Sequence, residues 1–198
     1  MSKLTLDSVE WGEFKIKDIF EIETVKGKPV ENYENGEIPY VSTASINNAV
    51  INFINKDEKI ITKGFSITVD PIKGSCFFHE YDFVGRGFSG ASVNVLRNKK
   101  LNKFNGIFIC SAIEKTSKSK ASYGYLFNSN RLKNGILLLP IDAQGNPNWQ
   151  FMEDYIKQEM KEQSQKVANY YENKLLKLGF EFLDLEVEWK EFWIEEIL

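Results

Sequence analysis

The chain has 198 residues, 42% of them hydrophobic and 27% charged, and a formal net charge of -3. That apolar share suffices for a packed core and excludes a disordered or low-complexity chain. Charge-free runs such as 104–113 and 136–141 fall short of the ~18 apolar residues of a membrane span, and no signal-peptide-like stretch opens the chain. A cytoplasmic protein without membrane contact is expected. Cys76 and Cys110 lie at no metal-ligand spacing and read as reduced, buried thiols.

Residues 1–147 read as a β-rich domain. The segments 38–42, 50–54, 65–69, 75–78 and 91–96 are short and rich in β-branched and aromatic residues. Gly, Asn, Asp and Lys clusters separate them, the pattern of a mixed or antiparallel sheet. Residues 104–115 place Phe104, Ile107, Phe108 and Ala112 at helical spacing and predict a short buried helix. Residues 135–141 predict a buried strand ended by Pro140 and by a turn over 142–147.

Residues 148–179 predict one long helix, with no Gly or Pro from Asn148 to Leu178. Asn148 is its candidate N-cap, Glu153 and Asp154 suit the positive end of its dipole, and Gly179 is a candidate C′ residue. At 1.5 Å per residue it would run about 45 Å. Its apolar stripe starts at Met152, Tyr155 and Ile156, is interrupted at Gln163 and Ser164, and resumes beyond. The first half has its own domain to pack on. The second half calls for a partner helix, met through Met160, Val167, Tyr171, Leu175 and Leu178. The fold class is thus α+β, a β-rich domain followed by one long C-terminal helix that pairs with a partner helix. Residues 180–198 form an acidic, aromatic tail in which Val187–Leu198 repeats Val9–Phe20 with seven of twelve positions identical. The chain therefore reads as one unit of domain plus helix, followed by the opening of a second.

Charge is unevenly spread. Between Arg97 and Lys133 nine basic residues face Glu114 alone, while the last eighteen residues carry seven acids against Lys190. The basic segment suits an anionic partner, and a solvated Lys-rich loop equally. Gly85, Gly87 and Gly90 match a G-x-G-x-x-G spacing, but a strand-like run follows where a phosphate-binding helix would be needed. A glycine loop between strands, carrying Arg86 and Ser89, is the better reading and could approach a phosphate backbone. His79 is the single histidine, without companion ligands, and reads as structural or surface-placed. The run Asn146-Pro147-Asn148-Trp149 superficially resembles an amino-methyltransferase signature but lacks its second proline and reads as a turn into the helix. No complete active site is visible, so a binding surface remains. Lysines suit phosphates, and Arg, Asn, Gln and Ser on loops suit base edges. The candidates for phosphates are Lys99, Lys100, Lys103, Lys118, Lys120 and Arg131, and for loops near bases Arg86, Ser89, Tyr123 and Tyr125.

Four ordered blocks carry a family resemblance: Trp11-x-x-Phe14-x-Ile16-x-Asp18-Ile19-Phe20; Gly36-Glu-Ile-Pro-Tyr-Val-Ser42 with Asn47-Asn48; Tyr123-Gly-Tyr125 with Arg131-Leu-Lys133 and Ile136–Pro140; and Pro147–Ile156. Together they resemble the specificity subunit of a type I restriction–modification system, at half length. The resemblance implies a target recognition domain over 1–147, a conserved spacer helix over 148–179, and sequence-specific binding of double-stranded DNA. It also implies a non-catalytic chain without cofactor of its own. S-adenosylmethionine, ATP and magnesium belong to the modification (methyltransferase) subunit and to the restriction subunit reached through the complex. A full specificity subunit has two such units with antiparallel helices. A single unit implies either a natural half subunit that homodimerises on a bipartite, palindromic target, or a chain cut after its first half. A homodimeric decoy or regulator that binds modification subunits without reading DNA is the alternative.

Overall fold

The structure is a computed structural model that describes residues 3–55, 60–88, 91–118 and 128–177, without the side chains of Ser117 and Lys118. By contacts the chain divides into a unit ending at Gln158 and a second beginning at Glu159.

Among the described residues the first unit holds three small sheets. β1 (Trp11–Lys15) pairs antiparallel with β9 (Ile136–Pro140). A four-stranded antiparallel sheet has the order β2 (Glu21–Thr24), β8 (Asn94–Arg97), β5 (Ser66–Val69), β6 (Cys76–His79). In the third sheet β3 (Asn35–Val41) lies between β4 (Val50–Ile54), antiparallel to it, and β7 (Val84–Gly85), parallel to it. The strand expected over 91–96 begins only at Asn94. Two strands carry no hydrophobic run and were not anticipated. β1 and β2 alternate Glu13, Lys15, Glu21 and Glu23 toward water with half-buried Phe14 and Ile22 between them, so their pairing partners define them.

α1 (Ile16–Ile19) follows β1 and plants Ile16 in the main core with Phe20 beside it. α2 (Lys103–Lys118) is capped reciprocally: Asn102 Oδ1 accepts from Phe104 N (2.9 Å) and Asn105 N (3.1 Å), and Asn105 Oδ1 accepts from Asn102 N (2.8 Å). Its most buried positions are Asn105, Ile109 and Ile113, so the inward face is rotated from the expected one, and Phe104, Ile107 and Ala112 are only half-buried. The reason lies at Gly106, where a Cβ would sit 2.6 Å from the Phe78 ring, so the helix backbone rests directly on β6. α3 (Ser129–Lys133) is started by Asn128, whose side chain accepts from Arg131 N at 3.2 Å.

The main core joins Ile67, Leu96, Ile109, Leu132, Leu137 and Met152, and a second cluster of Val25, Val41, Phe83, Val93 and Val95 fills the space beside it. α4 (Trp149–Lys177) begins in this unit. Asn148 Oδ1 accepts from Phe151 N at 3.0 Å as its cap, and Phe151 and Met152 are buried. In the second unit, residues 159–177 continue as helix, and none of them is buried. Met160, Val167, Tyr170, Tyr171 and Leu176 are exposed there and Leu175 is half-buried. Leu178 and the repeated tail lie outside the described residues.

Candidate nucleic-acid interface

One end of the first unit is built from segments that leave strands. The segment after β2 is fixed to the glycine loop after β7: Gly27 N donates to Gly85 O (3.0 Å) and Gly87 N to Gly27 O (2.9 Å). A Cβ at Gly27 would lie 2.2 Å from Gly85 O, so the glycines serve close backbone packing rather than a nucleotide. Arg86 N donates to Val41 O at 2.8 Å, which brings in the end of β3. The turn after β5 is closed by Gly74 N to Asp70 O (2.9 Å) and by Ile72 N to Asp70 Oδ1 (2.8 Å). Ser75 Oγ donates to Ser45 Oγ at 2.9 Å and joins that turn to the loop after β3. Asn94 pairs with both Thr24 and Val69 and accepts from Ser129 Oγ at 2.7 Å, so α3 starts at this end as well. The C-terminal part of α2 reaches it through Glu114 Oε1, which accepts from Cys76 N at 3.1 Å.

The loop after β3 is unusual in its own backbone. Asn47, Asn48 and Ala49 have φ of 52°, 52° and 58°, a left-handed turn without glycine. Ala49 O accepts from Ser42 N at 2.9 Å, and Asn48 hydrogen-bonds Tyr81. Ile46 at its head is 70% exposed.

Among the described residues, the basic positions singled out in the sequence are spread over more than one surface. Lys99, Lys100 and Lys103 are exposed at the start of α2, while Lys115 is exposed near its end, about 18 Å further along the helix. Arg97 is engaged in the fold: its Nε donates to Glu23 (2.6 Å) and its Nη atoms to Lys63 O (2.8 Å) and Gly64 O (3.1 Å). Arg86 is half-buried and latches its own loop, with Nη1 donating to Ala91 O at 2.7 Å and the guanidinium over the Phe88 ring at 4.3 Å. Arg131 is half-buried on α3. Ser89, Lys120, Tyr123 and Tyr125, and the side chain of Lys118, lie outside the described residues. Three exposed lysines at the loop end escaped the sequence reading, namely Lys26, Lys28 and Lys73. Their signal was turn chemistry rather than a charge run: Lys26-Gly-Lys-Pro29 and Asp70-Pro-Ile-Lys-Gly74.

Buried ionisable groups support the scaffold. His79 is fully buried, with its Nε2 hydrogen-bonded to Thr68 Oγ1 at 2.8 Å, and burial lowers its pKa to about 4. Asp70 is 3% exposed, its Oδ2 has no hydrogen-bond partner among the described residues, and burial raises its pKa despite bonds from Ile72 and Lys73 and the charges of Lys73 and Arg86. Burial also pushes the Tyr40 phenol up to about 12, so it stays a donor to Lys28 O at 2.6 Å. Cys76 and Cys110 are buried together, and burial raises the Cys76 thiol. Among the described residues no group of three or more His, Cys, Asp and Glu could hold a metal ion, and no helix is long and apolar enough to cross a membrane.

A β-rich domain of loop-bearing strands that ends in one long helix is the architecture of restriction–modification specificity subunits. The S subunit of the type I system from M. genitalium superposes with a TM-score of 0.55 at 15% identity, over 90% of this chain and 47% of that one. The HsdS subunit from Thermoanaerobacter tengcongensis gives 0.53 at 12% identity, over 80% and 38%. In sequence, residues 8–169 match the type I restriction modification DNA specificity domain, and the chain belongs to that family. It is also 30% identical over 158 residues to the specificity subunit S.BcgI of the type II restriction enzyme BgcI from Heyndrickxia coagulans, covering 77% of this chain and 44% of that protein. The chain thus spans about half the length of the relatives it matches.

Proposed function

We propose that the chain reads the sequence of double-stranded DNA as the recognition component of a restriction–modification complex in the cytoplasm. The observation that carries this reading is the family match over residues 8–169, which takes in the β-rich domain and most of the helix. In this reading the chain contributes no catalysis and holds no cofactor. A modification subunit transfers the methyl group of S-adenosylmethionine to adenine, and a restriction subunit joined through the complex uses ATP and magnesium to cleave.

The exposed apolar positions of residues 159–177 pair with the same helix of a second copy, in an isologous contact. Two identical recognition domains then face a bipartite target, whose half-sites mirror the two-fold axis of the protein. Selection from a random duplex pool, with the modification subunit present and at roughly physiological salt, tests this. A recovered bipartite palindrome is the expected result. Co-purification of the two proteins with no enriched sequence would instead leave an interaction protein that captures modification subunits.

A further inference from the structure

We propose that the recognition domain meets the phosphate backbone of duplex DNA with its loop end, through Lys26, Lys28 and Lys73, and not with the end that carries Lys99, Lys100 and Lys103. This rests on the DNA-reading function proposed above and names the face and the residues that serve it.

Charge separates the two ends. Lys99 and Lys100 border a groove that also contains Asp18 and Glu21. The same side of the sheet holds the pair Lys63–Asp82 at 2.7 Å, Glu153 accepts from Asn102 just before Lys103 at 2.7 Å, and Glu23, which borders a groove with Lys26, is engaged by Arg97 at 2.6 Å. Carboxylates there offset the lysines and would repel a polyanion. At the loop end the acids are the buried Asp70, whose carboxyl lies beside both Lys73 and Arg86, the half-buried Glu114, which accepts from Cys76 N, and the exposed Glu31 nearest Lys28 in sequence. Lys26, Lys28 and Lys73 are exposed, and among the described residues no ion pair engages them.

The loop end is also held in place before any ligand arrives. Gly27 is clamped between Gly85 and Gly87, which fixes the backbone that carries Lys26 and Lys28. Lys28 is pinned further, since its N donates to Tyr33 Oη at 2.9 Å and its O accepts from Tyr40. Lys73 sits in a turn closed at both Asp70 and Gly74. Fixed backbones present their ammonium groups at low ordering cost, which is what sequence-independent phosphate contacts require. The neighbouring segments offer serines, asparagines and backbone groups at the same end, as reading the bases between those phosphates would need.

Two triple variants of the full chain decide the matter: Lys26→Ala with Lys28→Ala and Lys73→Ala, and Lys99→Ala with Lys100→Ala and Lys103→Ala. Affinity for the selected duplex and for a scrambled one is measured against salt, with the modification subunit present. All six lysines are exposed, and an unchanged thermal midpoint verifies that each variant folds. The first variant is expected to weaken both duplexes alike and to flatten the salt dependence by about 0.9 in slope per lost contact. The second is expected to keep the wild-type slope. Loss of slope in the second variant, equal loss in both, or no loss in the first overturns the assignment. A wild-type protein that binds no duplex overturns the DNA-reading function itself, and this inference with it.

Discussion

At neutral pH the His79 imidazole is uncharged, because the site between Thr68, Tyr81 and Phe83 offers no water to solvate a cation. The unfolded chain protonates this residue near 6.5, whereas the folded one does so at about 4. Between those values the unfolded state binds more protons, so stability falls as pH drops through that window. The difference amounts to about 3 kcal/mol. Urea titrations at pH 7 and pH 4 should show a loss of that order, and a His79→Gln variant should lose far less between the two. Asp70 works in the opposite sense: its raised pKa makes the fold lose stability as pH rises from 3.8 through its folded-state value. Arg86 shows the same logic in a permanent cation. Its guanidinium holds the Ala91 carbonyl and stacks on Phe88, so its first role is to shape the glycine loop.

Among the elements, α2 departs most from its periodicity. A stripe of Phe104, Ile107, Phe108 and Ala112 suggested one inward face, yet of these only Phe108 is buried and the helix turns Asn105, Ile109 and Ile113 fully inward. Asn105 is buried without penalty because its side chain bonds Asn102 N and Lys100 O. Gly106 lets the backbone settle on Phe78. Replacing Gly106 by Ala would gain about 1 kcal/mol of helix propensity. The added methyl would press on the ring at 2.6 Å, and overpacking of that kind costs about 1–3 kcal/mol. A net loss of stability in urea is therefore expected for Gly106→Ala, against the gain that an exposed helical glycine would give.

For the whole molecule, the helix beyond Gln158 is the element through which the proposed homodimer forms. Its apolar side chains Val167, Tyr171 and Leu175 recur at spacings of four, and Val167 and Tyr171 are each 56% exposed. Among the described residues nothing buries that stripe, and a second helix is the partner proposed for it. Leu175→Glu places a charge in that contact. Light scattering should report the proposed dimer for the unaltered protein and a monomer for the variant, and a persistent dimer would remove Leu175 from the contact.

The sequence by itself determined the elements whose patterns are local. The strand over 50–54 coincides with β4, and the gap-free helical run from Asn148 yields α4 with the expected cap. The ordered family blocks likewise pointed to the specificity-subunit family to which residues 8–169 belong. Only the tertiary structure decided which side chains share a surface. A run of basic residues between Arg97 and Lys133 looked like one patch, and the length of α2 divides it between two ends of the domain. Lys73 stands far from Lys26 and Lys28 in the chain, yet segments fastened to the glycine loop and to the turn after β5 place the three at one end. Periodicity records what each residue does within its own element. A binding face made of loops depends on pairings such as Gly27 with Arg86 and Thr24 with Asn94, and those join positions that no local pattern connects.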